Sequence, residues 1–149
     1  MQLNEDTSNS MTTYSSMAGF YTVEYPENWR ISCEGNIVNI FPPEANGAVT
    51  ISAFHGIGAS LNESIGQLFK NYQAVSPPHP VSRNNWNGLQ AEYLQQVDEG
   101  FRYWVVIGAI YRKTLVLITA NDTKTDMTSQ RHIYESILYS LVLTDPEEF

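Results

Sequence analysis

One stretch restricts the fold more than any other. Phe101-Arg-Tyr-Trp-Val-Val-Ile-Gly-Ala-Ile-Tyr111 places apolar side chains at consecutive positions. Successive side chains of an extended chain leave opposite faces of a sheet, so a strand built from this run is apolar on both. Such a strand belongs at the centre of a sheet with cover on each side. The expected architecture is therefore layered: a mostly antiparallel twisted sheet flanked by two main helices, of class α+β.

The neighbouring segments supply the rest of the layers. Phe20, Thr22 and Glu24 alternate with Tyr21, Val23 and Tyr25, a period of two that predicts a strand ending at Pro26. Trp29 to Cys33 and Asn36 to Phe41 read as a hairpin turning at Glu34-Gly35, and Ala48 to His55 as a further strand. The period then changes. Leu61, Ile65, Leu68, Phe69 and Tyr72 make one helical stripe, with Ser60 and Glu63 as a capping box. Ser76-Pro-Pro-His-Pro80 cannot continue a helix and reads as a break.

Val81 to Trp86 and Leu89 to Val97 are expected to pair through Asn87-Gly88, a dipeptide suited to a tight hairpin turn. The central strand, expected to reach Arg112, follows a turn at Glu99-Gly100, and Thr114 to Ala120 is the last strand. A closing helix is expected from Met127 to Leu141, capped by Asp126 or Thr125, with Ile133, Ile137 and Leu141 as its apolar line. Residues 1–18 read as a polar tail, 19–145 as one domain and 146–149 as an acidic tail.

Charge narrows the partners. Sixteen acidic and eight basic residues give a net charge of -8, and the only lysines are the scattered Lys70, Lys113 and Lys124. A phosphate backbone is held by clustered cations that displace its counterions, so no nucleic acid is expected. An acidic surface suits a basic protein partner through electrostatic steering. The single cysteine, Cys33, rules out an intramolecular disulfide and reads as a small buried hydrophobe in a strand. No apolar run reaches the roughly 18 residues of a membrane span. The first ten residues have neither a basic nor an apolar leader segment, so a cytoplasmic location is expected unless a leader has been removed.

Motifs for chemistry are weak. His55-Gly-Ile-Gly58 lies between a strand and a helix as a dinucleotide-binding loop does, but Leu61 stands where the third glycine belongs. No Gly-x-Ser-x-Gly elbow occurs. His55, His79 and His132 lack metal-ligand spacing, and Asp98, Glu99, Asp122 and Asp126 fit turn and helix-start roles. No catalytic, cofactor-binding or metal-ligating residue is assigned. Nine tyrosines and three tryptophans exceed the needs of a core of this size. Trp86, Tyr93, Arg102 and Tyr103 form the candidate interaction surface, being of the residue types that anchor interfaces. The competing reading makes most of these aromatics half-buried sheet residues.

Three local motifs in this order carry a family resemblance. They are Phe20-Tyr-Thr-Val-Glu-Tyr-Pro-Glu-Asn-Trp29, Asn87-Gly-Leu-Gln-Ala-Glu-Tyr93 and Ile133-Tyr-Glu-Ser-Ile-Leu-Tyr-Ser-Leu141. From Gly19 onward the chain resembles the PsbP-like fold family, which includes the photosystem II extrinsic subunit, a Ran-binding nuclear-import factor and DcrB- and LpqN-type bacterial proteins. The resemblance implies an α/β/α sandwich, a binding or assembly role and no shared catalytic residues. Similar folds also occur among bacterial toxin-immunity proteins. The leading expectation is a bacterial, non-enzymatic protein-binding module, either an immunity or an assembly factor, acting as monomer or homodimer. Two alternatives stand beside it: a small-ligand-binding protein or hydrolase with a pocket between sheet and helix, and a homodimeric accessory subunit joined through a strand edge.

Overall fold

The computed structural model describes residues 10–44, 46–55 and 61–146. In chain order the elements are β1 (Met11–Ser15), β2 (Tyr21–Pro26), β3 (Arg30–Glu34), β4 (Ile37–Phe41), β5 (Ala48–His55), α1 (Leu61–Leu68), β6 (Gln73–Arg83), β7 (Trp86–Val97), β8 (Gly100–Tyr111), β9 (Thr114–Thr123), α2 (Lys124–Tyr139) and β10 (Val142–Leu143). Seven strands form one sheet in the order β3-β4-β5-β9-β8-β7-β6, and three form a second in the order β1-β2-β10. Every pairing is antiparallel.

The α+β expectation holds, and its physical basis is visible at β8. Val105, Ile107 and Ala109 point into a core shared with Tyr134, Ile137 and Leu138 of α2 and with Tyr21 and Val23 of β2. Val106, on the opposite face of β8, is buried with Ile65, Phe69, Ala91 and Tyr93. One face is thus covered by α2 and the small sheet, the other by the much shorter α1.

Four expectations are corrected. The first concerns the polar tail, part of which is structured: Met11–Ser15 pairs along β2, with Thr13 opposite Glu24. Its exposure alternates residue by residue, with Thr12 and Tyr14 half-buried and Met11, Thr13 and Ser15 exposed, as in a strand open to solvent on one side. Second, Ser76-Pro-Pro-His-Pro80 is not a break but the middle of β6. Proline cannot donate to a ladder, and β6 accommodates Pro77, Pro78 and Pro80 because it is an edge strand with register shifts between Ala74 and His79.

Third, the hairpin after β6 turns at Asn84–Asn85, since Arg83 pairs with Trp86, and Asn84 takes the positive φ of 48°. Asn87-Gly88 lies within β7 instead. A Cβ on Gly88 would come 1.9 Å from the Gly108 carbonyl oxygen, so glycine there permits close approach of two strands rather than a turn. The strand before the last turn likewise stops at Tyr111, with Arg112 at φ 54° in the turn itself.

Fourth, α1 ends at Leu68, short of the expected Tyr72, and α2 runs from Lys124 to Tyr139 rather than from Met127 to Leu141. Its N-cap is Thr123, whose hydroxyl accepts from the Asp126 backbone N–H at 3.1 Å. The predicted cap at Ser60 and the His55-Gly-Ile-Gly58 loop beyond His55 lie outside the described residues.

Candidate functional site

The sheet separates the four residues expected to share a surface. Tyr93 and Trp104 are register partners, and Arg102 lies two residues from Trp104, so these three share the α1 face. Trp86 and Tyr103 lie on the α2 face, packed in or against the main core. Trp86 is only 2% exposed and Tyr93 only 5%. The proposed patch is therefore corrected: two members are core, and the other two project from opposite sides.

Each has a structural task. Tyr93 stacks on Phe69 at 4.7 Å between ring centroids, and Trp104 meets Phe69 edge-on at 5.7 Å. Arg102 donates from Nε to Asn121 Oδ1 at 2.5 Å and from Nη2 to the Asn46 carbonyl. Tyr103 donates its hydroxyl to Glu92 Oε1, and Arg131 grips the same carboxylate with two hydrogen bonds, at 3.1 and 2.7 Å. Burial acts to raise the Glu92 pKa, but the Arg131 and Tyr103 hydrogen bonds outweigh it and hold the carboxyl below its usual range.

Other titratable groups are similarly engaged. Tyr134 donates to buried Asp122 at 2.7 Å, and burial, then that hydrogen bond, raises its pKa. His55 Nε2 lies 3.0 Å from Asp145 Oδ1, with the ring stacked on Phe20. His79 Nδ1 is 3.1 Å from the Pro77 carbonyl. Among the described residues no three His, Cys, Asp or Glu side chains converge as a metal site would require. Cys33 is exposed rather than buried, because β3 is a sheet edge. Its Sγ is 3.7 Å from the Tyr14 hydroxyl. Burial and the neighbouring Cys33 push the Tyr14 pKa up to about 12.

A groove of about 670 Å³ lies between β2 and α2, closed below by the β4–β5 connection. Its construction begins at Pro26, whose carbonyl accepts from the Trp29 N–H at 2.9 Å, folding Glu27 and Asn28 into a tight turn. That turn seats the Trp29 ring edge-on against Tyr134, 5.6 Å between centroids. Ser140, at the end of α2, ties the two walls together: its hydroxyl accepts from the Glu24 N–H at 2.8 Å. Asp126, Gln130 and Ile133, spaced i, i+4, i+7, bring one stripe of α2 to the groove. His132 and Ser136 flank it, and Pro42, Pro43 and Glu44 form the third side.

The groove combines an apolar floor of Trp29, Pro26, Pro42 and Ile133 with a rim of Glu24, Glu44 and Asp126. No Lys or Arg lines it. Glu92, Asp122 and Asp145 are all hydrogen-bonded. By contrast, no side-chain hydrogen bond or ion pair engages the rim carboxylates among the described residues. No local sequence pattern marks this site, because its parts come from positions about a hundred residues apart. The strongest local signal is the Pro26-to-Trp29 step, where one strand ends and the next begins.

No family model and no curated relative matches the chain. Solved structures do. Cyanobacterial PsbP (CyanoP) from Synechocystis superposes with a TM-score of 0.71 at 11% identity, covering 91% of this chain and 93% of that one. The Saccharomyces cerevisiae Ran-binding protein Mog1p gives 0.61 at 10% identity, covering 91% and 96%. LpqN, involved in cell envelope biogenesis of Mycobacterium tuberculosis, gives 0.63 at 12% identity, covering 91% of each chain. A Bacteroides thetaiotaomicron protein gives 0.68 at 17% identity, and this chain spans only 49% of its length. These likenesses are of fold: the chain has the PsbP-like α+β architecture.

Proposed function

We propose that the chain is a non-enzymatic protein-binding module whose β2–α2 groove takes a basic, partly apolar segment of a partner protein. The observation that carries this reading is the set of three carboxylates, Glu24, Glu44 and Asp126, that no side chain pairs among the described residues, around an apolar floor lined by neither Lys nor Arg. Exposed ion pairs contribute only about 0.2–1 kcal/mol each. The rim therefore sets sign, orientation and association rate, while the floor around Trp29 and Ile133 supplies apolar contact.

A net charge of -8 extends the same preference over long range. The presence of a Ran-binding protein among structures of this fold is consistent with protein recognition, although fold alone does not assign function. An immunity or assembly role for a bacterial partner remains the setting in which such a module is proposed to act.

The test is a titration of isotopically labelled protein with a peptide alternating Arg or Lys with Pro or Leu, followed by amide and indole NMR shifts. Shifts should concentrate at Glu24, Asn28, the Trp29 indole and Ile133, and should weaken as salt is raised. Shifts confined to the α1 face, or none at all, would overturn the assignment.

A further inference from the structure

The two edges of the seven-stranded sheet are built very differently. At one edge β6 carries Pro77, Pro78 and Pro80 and two register shifts. Prolines and irregular register are what keep an exposed edge from pairing with another chain. At the other edge β3, Arg30-Ile-Ser-Cys-Glu34, has no proline and keeps unbroken register with β4 from Arg30 opposite Phe41 to Glu34 opposite Ile37. Among the described residues no strand pairs with its outer side.

The direction of the free backbone groups follows from the turn. Glu34 and Ile37 close a two-residue loop, with Gly35 at φ 63° in its first position, as a type II′ hairpin has it. The closing pair of such a hairpin is hydrogen-bonded, and hydrogen-bonded pairs alternate along the ladder. Arg30, Ser32 and Glu34 thus turn their N–H and C=O groups toward β4. Ile31 and Cys33 turn theirs outward.

We propose that β3 is a homodimerisation edge, pairing antiparallel with β3 of a second copy about a twofold axis at Ser32. The sequence is self-complementary in that register. Ile31 of each copy faces Cys33 of the other, and the two pairs exchange four backbone hydrogen bonds. Ser32 faces itself, and Arg30 of each copy faces Glu34 of the other. Both charged residues are exposed. Neither forms an ion pair with another described residue; Arg30 lies over the Phe41 ring at 5.6 Å. The charged pairs fall at non-hydrogen-bonded positions, where side chains approach most closely.

β1 is the other proline-free edge of any length, but Met11-Thr-Thr-Tyr-Ser15 carries no charge to fix a register. A five-residue edge is small beside the roughly 1,200–2,000 Å² of a stable interface. The dimer is therefore weak and concentration-dependent, and its two groove rims at Asn28–Trp29 each lie beside the partner copy's Glu34 hairpin. The inference stands independently of what the groove binds.

Sedimentation equilibrium of the whole chain tests it. The wild type should show reversible dimerisation. Arg30→Glu and Glu34→Arg, each of which opposes like charges in two symmetric pairs, should weaken it by about tenfold. The double variant Arg30→Glu/Glu34→Arg, again self-complementary, should restore it. In a Cys33→Ser background, Ser32→Cys should give a disulfide-linked dimer on oxidation with diamide, since facing residues lie within disulfide reach, while Ser82→Cys on β6 should not. A monomer at the highest attainable concentration, or a dimer indifferent to both single charge changes, overturns the proposal. So does a pairing in which the edge is filled by residues 1–9 of the same chain.

Discussion

Trp86 donates its indole N–H to the Leu141 carbonyl at 2.8 Å, from a position almost sealed from solvent. That contact fixes the segment that follows α2 to the β6–β7 hairpin. The two asparagines of the turn reinforce it. Asn84 donates to the carbonyls of Tyr139 and Leu141, and Asn85 both donates to the Leu143 carbonyl and accepts from its N–H. β10 is only two residues long, so its place beside β2 depends on this grip.

Replacing Trp86 with Phe keeps most of the ring volume and removes the donor. A loss of about 1–2 kcal/mol in unfolding free energy by urea denaturation is expected, against about 3–5 kcal/mol for Trp86→Ala. Because Asn84 shares the Leu141 carbonyl, its loss should not simply add to that of Trp86. Strict additivity in the Trp86→Phe/Asn84→Ala cycle would show that the two donors act separately.

Gly88 is expected to tolerate no side chain. The atom it would meet at 1.9 Å is the Gly108 backbone oxygen, which cannot swing aside as a flexible side chain could. Gly88→Ala should cost about 3 kcal/mol or more. Gly66, where an added Cβ meets nothing within 4 Å, is the control. Gly66→Ala should be neutral to stabilising by up to about 1 kcal/mol, since glycine is a poor helix former. Equal thermal midpoints for the two variants would refute this account of the β7–β8 contact.

The Glu92–Arg131–Tyr103 cluster predicts a definite pH dependence. Glu92 has its pKa lowered on folding from the ordinary 4.5, so the folded state holds its proton less tightly than the unfolded state. Its contribution is complete above 4.5 and disappears as pH falls through the depressed folded value. Glu92→Gln should therefore be less stable than wild type at pH 7 by about 1–3 kcal/mol. The gap should close in acid, measured by urea unfolding across the range. A gap that stays constant down to the lowest pH would mean that the charge itself contributes nothing.

Much of the architecture was legible because it is written locally. Alternation at Tyr21 to Tyr25, the helical stripe in α2 and the doubly apolar β8 each report burial through a single periodicity. What was not legible depends on contacts remote in sequence. Nothing local says that Gly88 is required by Gly108 rather than by a turn, or that Pro77 to Pro80 can run along an edge. The groove is the extreme case. Trp29, Glu44 and Asp126 converge because β2 and α2 share a core, with Trp29 against Tyr134 and Ser140 bonded to Glu24, and each residue alone has an ordinary reading as core, loop or helix start.

The central claim is tested most directly by affinity capture from the extract of the producing organism, with wild type and Glu24→Lys/Glu44→Lys side by side. Both substituted positions are exposed, so the fold should be retained, which circular dichroism can verify. The groove account predicts a basic partner held by the wild type at low salt and depleted several-fold by the double variant. A partner set captured equally by both proteins would contradict it.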